Sequence, residues 1–340
     1  MSDNSANNKR IAKNTLFLYF RTILIMLVTL YTSRVVLNTL GVEDFGVYNA
    51  VGGVVSMFAV ISGALSNAIS RYITYGLGKG DKEKLKMIFC TSVNIQIIIA
   101  LIIFVLCEIV GLWFLNSRMN IPEDRLVAAN WVLHCSLLTF VVNLISVPYN
   151  ACIIAHEHMN AYAYISIFDA ILKMSVAYLL IVSPVDKLIA YSVLLFVTAL
   201  GVRLLYGFYC GRHFKECKYK PIYDRVLFKE MMGFAGWNFF GNATSVLNIQ
   251  GVNILINVFF GVVANSARGI ASQIDAAVNQ LVVTFTTAVN PQITKSYAQG
   301  DSQRLNYLVC KGAKFSFFLL LLFAVPLFFE ADTILKIWLV

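Results

Sequence analysis

GVVANSARGIASQIDAAVNQLVVTFTTAVNPQITKSYAQGD, residues 261–301, decides how the rest of the chain is read. Its apolar part, 264–290, runs about 27 residues, and about 20 mostly apolar residues suffice for a helix to cross a bilayer. Yet Asn265, Arg268, Ser272, Asp275, Asn279, Thr286 and Asn290 recur at three- and four-residue steps, which gathers them on one side of a helix. Hydrocarbon cannot lie against that side, because a charge at mid-membrane costs about 2.5–3.5 kcal/mol or more unless it faces protein or water. The stripe therefore predicts a helix surrounded by others. It reads either as the wall of a hydrated transport cavity or as a polar seam bonded to neighbouring helices.

Composition agrees. Of 340 residues, 59% are hydrophobic and 13% charged, with mean hydropathy +0.72, where a soluble domain carries about 25% charged residues. This is the signature of an all-α polytopic membrane protein. Trp113, Trp131, Trp237 and Trp338 fall near expected span ends, where aromatic belts sit. The net charge of +9 does not point to nucleic acid, because the basic residues cluster between apolar runs. The cysteines at 90, 107, 135, 152, 210, 217 and 310 form no CxxC and mostly lie in or beside apolar runs. They read as small hydrophobes, with no disulfide framework, metal site or cofactor expected. His156-Glu157-His158 reads as a solvated turn.

About nine spans are expected, near 14–37, 47–74, 87–115, 127–153, 161–183, 187–211, 235–259, 264–290 and 308–328. The first is too long for a signal h-region and lacks a cleavage site after it. Of the 27 basic residues, 18 fall on one side: the N-terminus, 71–86, 212–229 and 295–314. The other side holds Arg118, Arg125, Lys187 and Lys336. The positive-inside rule then predicts a cytoplasmic N-terminus. Within spans, Arg34 and Arg203 lie near ends and read as snorkelling, while Arg21, Lys173 and Arg268 lie deeper.

A gapless shift of 220 aligns 41–85 with 261–305. Gly41-Val42 meets Gly261-Val262, Ala68 meets Ala288, Ile73-Thr74 meets Ile293-Thr294, Gly80-Asp81 meets Gly300-Asp301, and Leu85 meets Leu305. Six expected spans separate the copies, so the repeats are parallel, related by an axis along the membrane normal. The expected division is a six-helix lobe over 1–222 and the first three helices of a second over 223–340. Two full six-helix lobes would need about 440 residues, and the chain ends on apolar ILKIWLV; a C-terminally truncated protein is expected.

Other spans also carry polar faces. In the fourth, Ser136, Thr139, Asn143, Ser146 and Asn150 share one side; the second carries Asn49, Ser56, Gly63, Asn67 and Ser70. The seventh is rich in amides, among them Asn242, Gln250, Asn253 and Asn257, for which close helix packing is the competing reading. Asp169 and Lys173 are four apart, acid first, the favourable order for an intrahelical pair. Catalytic patterns are missing: GLGKGDKEK at 76–84 lacks P-loop spacing, and the loops are too short for an enzyme's polar machinery. No enzyme is expected.

The segments LGVEDFGVYNAVGGVVSMF at 40–58, NAISRYITYGLGKGD at 67–81, GVVANSARGIASQIDAAVNQ at 261–280 and AVNPQITKSYAQGD at 288–301 resemble the polysaccharide biosynthesis and O-antigen flippase family, within the MATE-like multidrug and oligosaccharidyl-lipid exporter superfamily. The resemblance implies a two-lobe helical bundle around a central cavity in the bacterial inner membrane. It implies translocation of undecaprenyl-diphosphate-linked oligosaccharide, an O-antigen or capsular repeat unit, with glycan polymerases or glycosyltransferases as partners besides membrane lipids. On that reading Arg21, Arg34, Lys173 and Arg268 meet the diphosphate, since guanidinium forks bind phosphate bidentately. Asn143 and Asn242 meet sugar, and Asp169 and Asp275 couple ions or protons. Two alternatives stand beside it: a cation-coupled drug or metabolite antiporter of the same fold, and a non-transporting scaffold for glycan-assembly enzymes.

Overall fold

A computed structural model describes residues 2–56, 59–118, 121–221, 224–333 and 336; the side chains at 2–9, 245–247, 249–251, 260–267, 269–270 and some isolated positions lie outside the description. Eight helices follow in order: α1 (Ser2–Ser56), α2 (Ala59–Lys79), α3 (Lys82–Arg118), α4 (Leu126–Ala155), α5 (Met159–Val182), α6 (Lys187–His213), α7 (Arg225–Gln299) and α8 (Ser302–Phe329). Two single 3₁₀ turns stand at Glu123–Arg125 and Lys215–Cys217. Among the described residues there is no strand.

Six stretches are long and apolar enough to cross a membrane: Arg10–Gly41, Lys82–Ser117, Glu123–Ala155, Met159–Val182, Lys187–His213 and Ser302–Phe329. The protein is a multi-pass membrane protein. The other three expected spans, 47–74, 235–259 and 264–290, lie on helical residues of α1, α2 and α7, where many side chains are undescribed. The two long helices are not straight rods. α1 breaks at Gly41, which takes φ 83 and ψ 168. In α7, the Phe234 ring packs edge-on to Tyr72 of α2 at 6.0 Å, while Tyr297 lies 6.5 Å from Tyr75, one turn along the same helix. A straight helix from 234 to 297 would extend about 95 Å, so α7 doubles back between them.

α4 is the hub. Over half of its most apolar window is buried, 56%, against none of the corresponding window of α8. Two cores flank it. One holds Ile73, Phe89, Ile153 and Met231; the other holds Leu115, Leu133, Leu144 and Leu188. Outward faces stay apolar: Ile109, Leu179, Leu204 and Phe208 are all more than half exposed, a surface that suits acyl chains rather than water. At the end bearing the Glu123–Arg125 turn, Arg125 bonds Asp44 and Asp186, each at 2.6 Å, tying α1, the α3–α4 connection and the start of α6. Burial raises the Asp44 carboxyl above its ordinary range, and the Arg125 charge offsets part of that.

The repeat appears at the basic end as one turn built twice. Gly80 and Gly300 both take φ 74, the left-handed cap that only glycine adopts without strain. Asp81 Oδ1 accepts from the Lys84 N–H, and Asp301 Oδ1 from the Arg304 N–H, capping α3 and α8 alike. The copies also touch. A Cβ on Gly78 would lie 2.6 Å from the Ala298 Cβ and 3.1 Å from the Lys295 carbonyl, and residues 78 and 298 are themselves 220 apart.

Gly78→Ala is therefore expected to cost about 1–3 kcal/mol, the range for overpacking a tight contact. Thermal unfolding of the detergent-solubilised chain should show a lowered Tm. Adding Ala298→Gly should recover part of it, since that removes the nearer atom struck and leaves the Lys295 carbonyl in place.

Candidate functional site

Between α1, α2, α4, α5 and α6 lies a cavity of about 860 Å³. Four of the eight expected site residues line it: Arg21, Asn143, Asp169 and Lys173. Each is placed by helical spacing. Thr139, Asn143, Ser146 and Asn150 descend one face of α4, while Tyr162, Ser166, Asp169 and Lys173 do so on α5. The wall is amphipathic. Amides and hydroxyls alternate with the rings of Tyr48, Tyr162, Tyr191 and Tyr206; Tyr48 meets Tyr191 edge-on at 4.8 Å.

Two cations mark the cavity differently. Lys173 Nζ sits 2.8 Å from Asp169 Oδ2, so that pair is largely self-neutralised. Arg21 is held by a ring instead. Its guanidinium lies 4.6 Å over Tyr162, with one nitrogen 3.5 Å from the phenol oxygen. Among the described residues no carboxylate lies within ion-pair distance of Arg21, and its Nε is buried without a hydrogen-bond partner.

The remaining expected residues are not among those lining this cavity. Arg34 is exposed, Asn242 is half-buried, and Arg268 and Asp275 are exposed on α7, where Asn279 donates to Asp275 at 2.9 Å. The side chains of Asn265, Gln250, Asn253, Asn257 and Ser56 lie outside the described residues. Three- and four-residue spacing identifies a polar face but not the helix it meets. Among the described residues, those lining the wall here all lie before 207. Arg203, read as snorkelling, instead lies half-buried with its guanidinium 3.9 Å over Tyr149.

Below Arg21 the basic end is shut. Leu18, Met159 and Ala288 are each at most 2% exposed and form a plug against which Tyr162 packs. Beyond the plug, Glu157 gathers three segments. It pairs with Arg10 at 2.9 Å, accepts from the Gln292 amide at 2.6 Å, and offers its carbonyl to Asn14 at 3.4 Å. Glu157 is 7% exposed and takes φ 61. The expected solvated turn at 156–158 is thus a junction with Glu157 buried at its centre, overlooked because the partners of Glu157 all lie more than 130 residues away. Behind it, burial and the nearby His156 and His213 charges lower the His158 pKa.

A family model described as polysaccharide biosynthesis protein matches residues 11–297. The chain belongs to this family. It is 22% identical over 320 residues to the uncharacterized membrane protein EpsK of Bacillus subtilis (strain 168), covering 93% of this chain. The chain spans 63% of that relative's length. Its fold matches a MOP superfamily transporter from Pyrococcus furiosus with TM-score 0.80 at 14% identity, covering 97% of this chain and 74% of the other. It also matches a MATE protein in its straight conformation, with TM-score 0.83 at 12% identity and coverage of 97% and 74%. The expected MATE-like fold is thus found, and at these identities the likeness concerns fold alone.

Glu157→Gln removes the charge that holds Arg10 while nearly keeping shape. Charge-assisted hydrogen bonds contribute about 1.5–3 kcal/mol, so opening of the plug should rise about tenfold or more. Alkylation of a cysteine placed at Ala288, buried in the parent structure, in a Cys310→Ser background reads this as a faster labelling rate.

Proposed function

We propose that the full-length protein exports an undecaprenyl-diphosphate-linked oligosaccharide, an O-antigen or capsular repeat unit, across the bacterial cytoplasmic membrane. The observation that carries the reading is Arg21, an unpaired guanidinium at the floor of a cavity lined with amides, hydroxyls and tyrosines. A diphosphate entering low dielectric needs a cation that cannot deprotonate and that offers paired donors. Sugars need the rest of the wall, with Asn143 among its amides. The lipid tail stays in the bilayer. Membership of the polysaccharide biosynthesis family supports a glycan substrate. A drug-cation antiporter would want a free carboxylate in the cavity, and Asp169 is already paired with Lys173.

In this reading the basic, plugged end faces the cytoplasm, as the positive-inside rule favours, and the structure corresponds to an outward-facing state. Asp169 and Lys173 form the coupling pair within the cavity. Arg34 on α1, and Asn242, Arg268 and Asp275 along the second lobe, 223 onward, serve the remainder of the pathway. Glycan polymerases or glycosyltransferases work beside it.

In the native host, full-length protein carrying Arg21→Ala should lower surface glycan about tenfold or more at matched expression, as loss of a charged hydrogen bond of about 1.5–3 kcal/mol implies. Arg21→Lys should recover only part of it, because a point charge replaces a fork. Undiminished glycan in Arg21→Ala would remove this residue from the pathway and with it the reading.

A further inference from the structure

Four potential ligands meet at the basic end, outside the cavity. Cys152 and His156 stand four apart in the last turn of α4 and its cap, so they share a face. Glu216 and Cys217 are consecutive in the 3₁₀ turn after α6. Cys152 Sγ is 3.2 Å from Cys217 Sγ and 3.9 Å from Glu216 Oε1, and His156 Nε2 contacts that same oxygen. The Cys152, His156 and Glu216 donor atoms all lie within 4.8 Å of one another. Both thiols are buried, and Phe214 stacks on the His156 ring at 4.1 Å and 15°, fixing its plane.

We propose that Cys152, His156, Glu216 and Cys217 bind a structural zinc ion. Two thiolates, one imidazole and one carboxylate are donors this ion takes, and four protein ligands close its shell. Three of the four donors are already gathered, with Cys217 against one of them. With Zn–S bonds of about 2.3 Å and tetrahedral angles, two sulfurs stand about 3.8 Å apart, and sulfur and oxygen about 3.6 Å apart. The observed 3.2 and 3.9 Å depart from these by about 0.6 and 0.3 Å; on binding, the direct His156–Glu216 contact opens to admit the ion, and the Cys217 thiol swings from Cys152 toward the other two donors. Both thiols lose their protons on binding, and the ion offsets the resulting negative charge. A filled site would staple the segment leading into α7 onto the end of α4, one residue before Glu157. The zinc therefore supports the closed end rather than chemistry.

The test uses the full chain, purified anaerobically in detergent. Elemental analysis should find about one zinc per chain, and exchange with Co²⁺ should give thiolate-to-cobalt charge-transfer absorption with the intense visible bands of a tetrahedral site. Cys152→Ser and His156→Asn should each lose the metal and those bands, while Cys310→Ser, at an exposed cysteine, should keep both. Should Cys152→Ser fail to accumulate, the parent chain and His156→Asn decide the matter. A parent chain with no metal above background and freely titrating thiols overturns the proposal. So does a Cys152–Cys217 disulfide found by mass spectrometry in the native chain.

Discussion

Glu157 is a carboxylate sealed against solvent where α4 reverses into α5, and the closed end of the molecule depends on how it is satisfied. A buried ion costs several kcal/mol unless its charge and lone pairs are met. Here Arg10 and Gln292 meet the carboxylate and Asn14 meets the backbone carbonyl, two from α1 and one from α7. None of these segments is near Glu157 in sequence. The cost of burying one charge is thereby converted into a condition on tertiary structure: the turn is comfortable only when α1 and α7 are both in place. The plug of Leu18, Met159 and Ala288 is small, and three side chains exclude little apolar area. Much of the specificity of closure must come from the polar junction beneath it, where a misplaced helix leaves a charge unpaired.

The same rule sorts the other intramembrane charges. Lys173 is matched along its own helix by Asp169, and Glu108 is matched across helices by His134 at 2.9 Å. Arg21 and Arg203 have aromatic faces instead. A ring quadrupole attracts a guanidinium without cancelling its charge, so these two remain available to an anion as the paired groups do not. Of the two, Arg21 lines the cavity. The chemistry of the site follows from which partner each charge was given.

Much of the fold was legible from local pattern. Apolar runs of span length, basic clusters on alternate connections and the Gly-Asp turn at 80–81 and 300–301 are features of short windows, and helices α3 to α6 and α8 follow them closely. Half of the expected residues, Arg21, Asn143, Asp169 and Lys173, line the candidate cavity, because each is a polar residue in an apolar helix. What escaped was anything set by the mutual rotation of helices. Arg268 and Asp275 look as deep in sequence as Arg21, yet α7 leaves them exposed and away from the described cavity. The Cys152–Cys217 approach and the Glu157 junction join residues 65 or more positions apart, and no periodicity within one helix encodes them.

The contact between Gly78 and Ala298 carries the repeat from sequence into mechanics. Equivalent positions of two copies touch each other only where the axis relating them passes between, as in an isologous interface. A residue on such an axis faces its own counterpart, so both must be small for the helices to meet, and here they are glycine and alanine. The turns just beyond, with Gly80 and Gly300 in the same left-handed conformation and Asp81 and Asp301 making the same cap, fix both helix ends rigidly. That close contact lies within a longer α2–α7 seam, which also holds the Tyr72–Phe234 and Tyr75–Tyr297 ring pairs. The charged junction at Glu157 draws instead on partners from several segments. At the same end of the molecule, one contact is thus set by side-chain size and the other by charge.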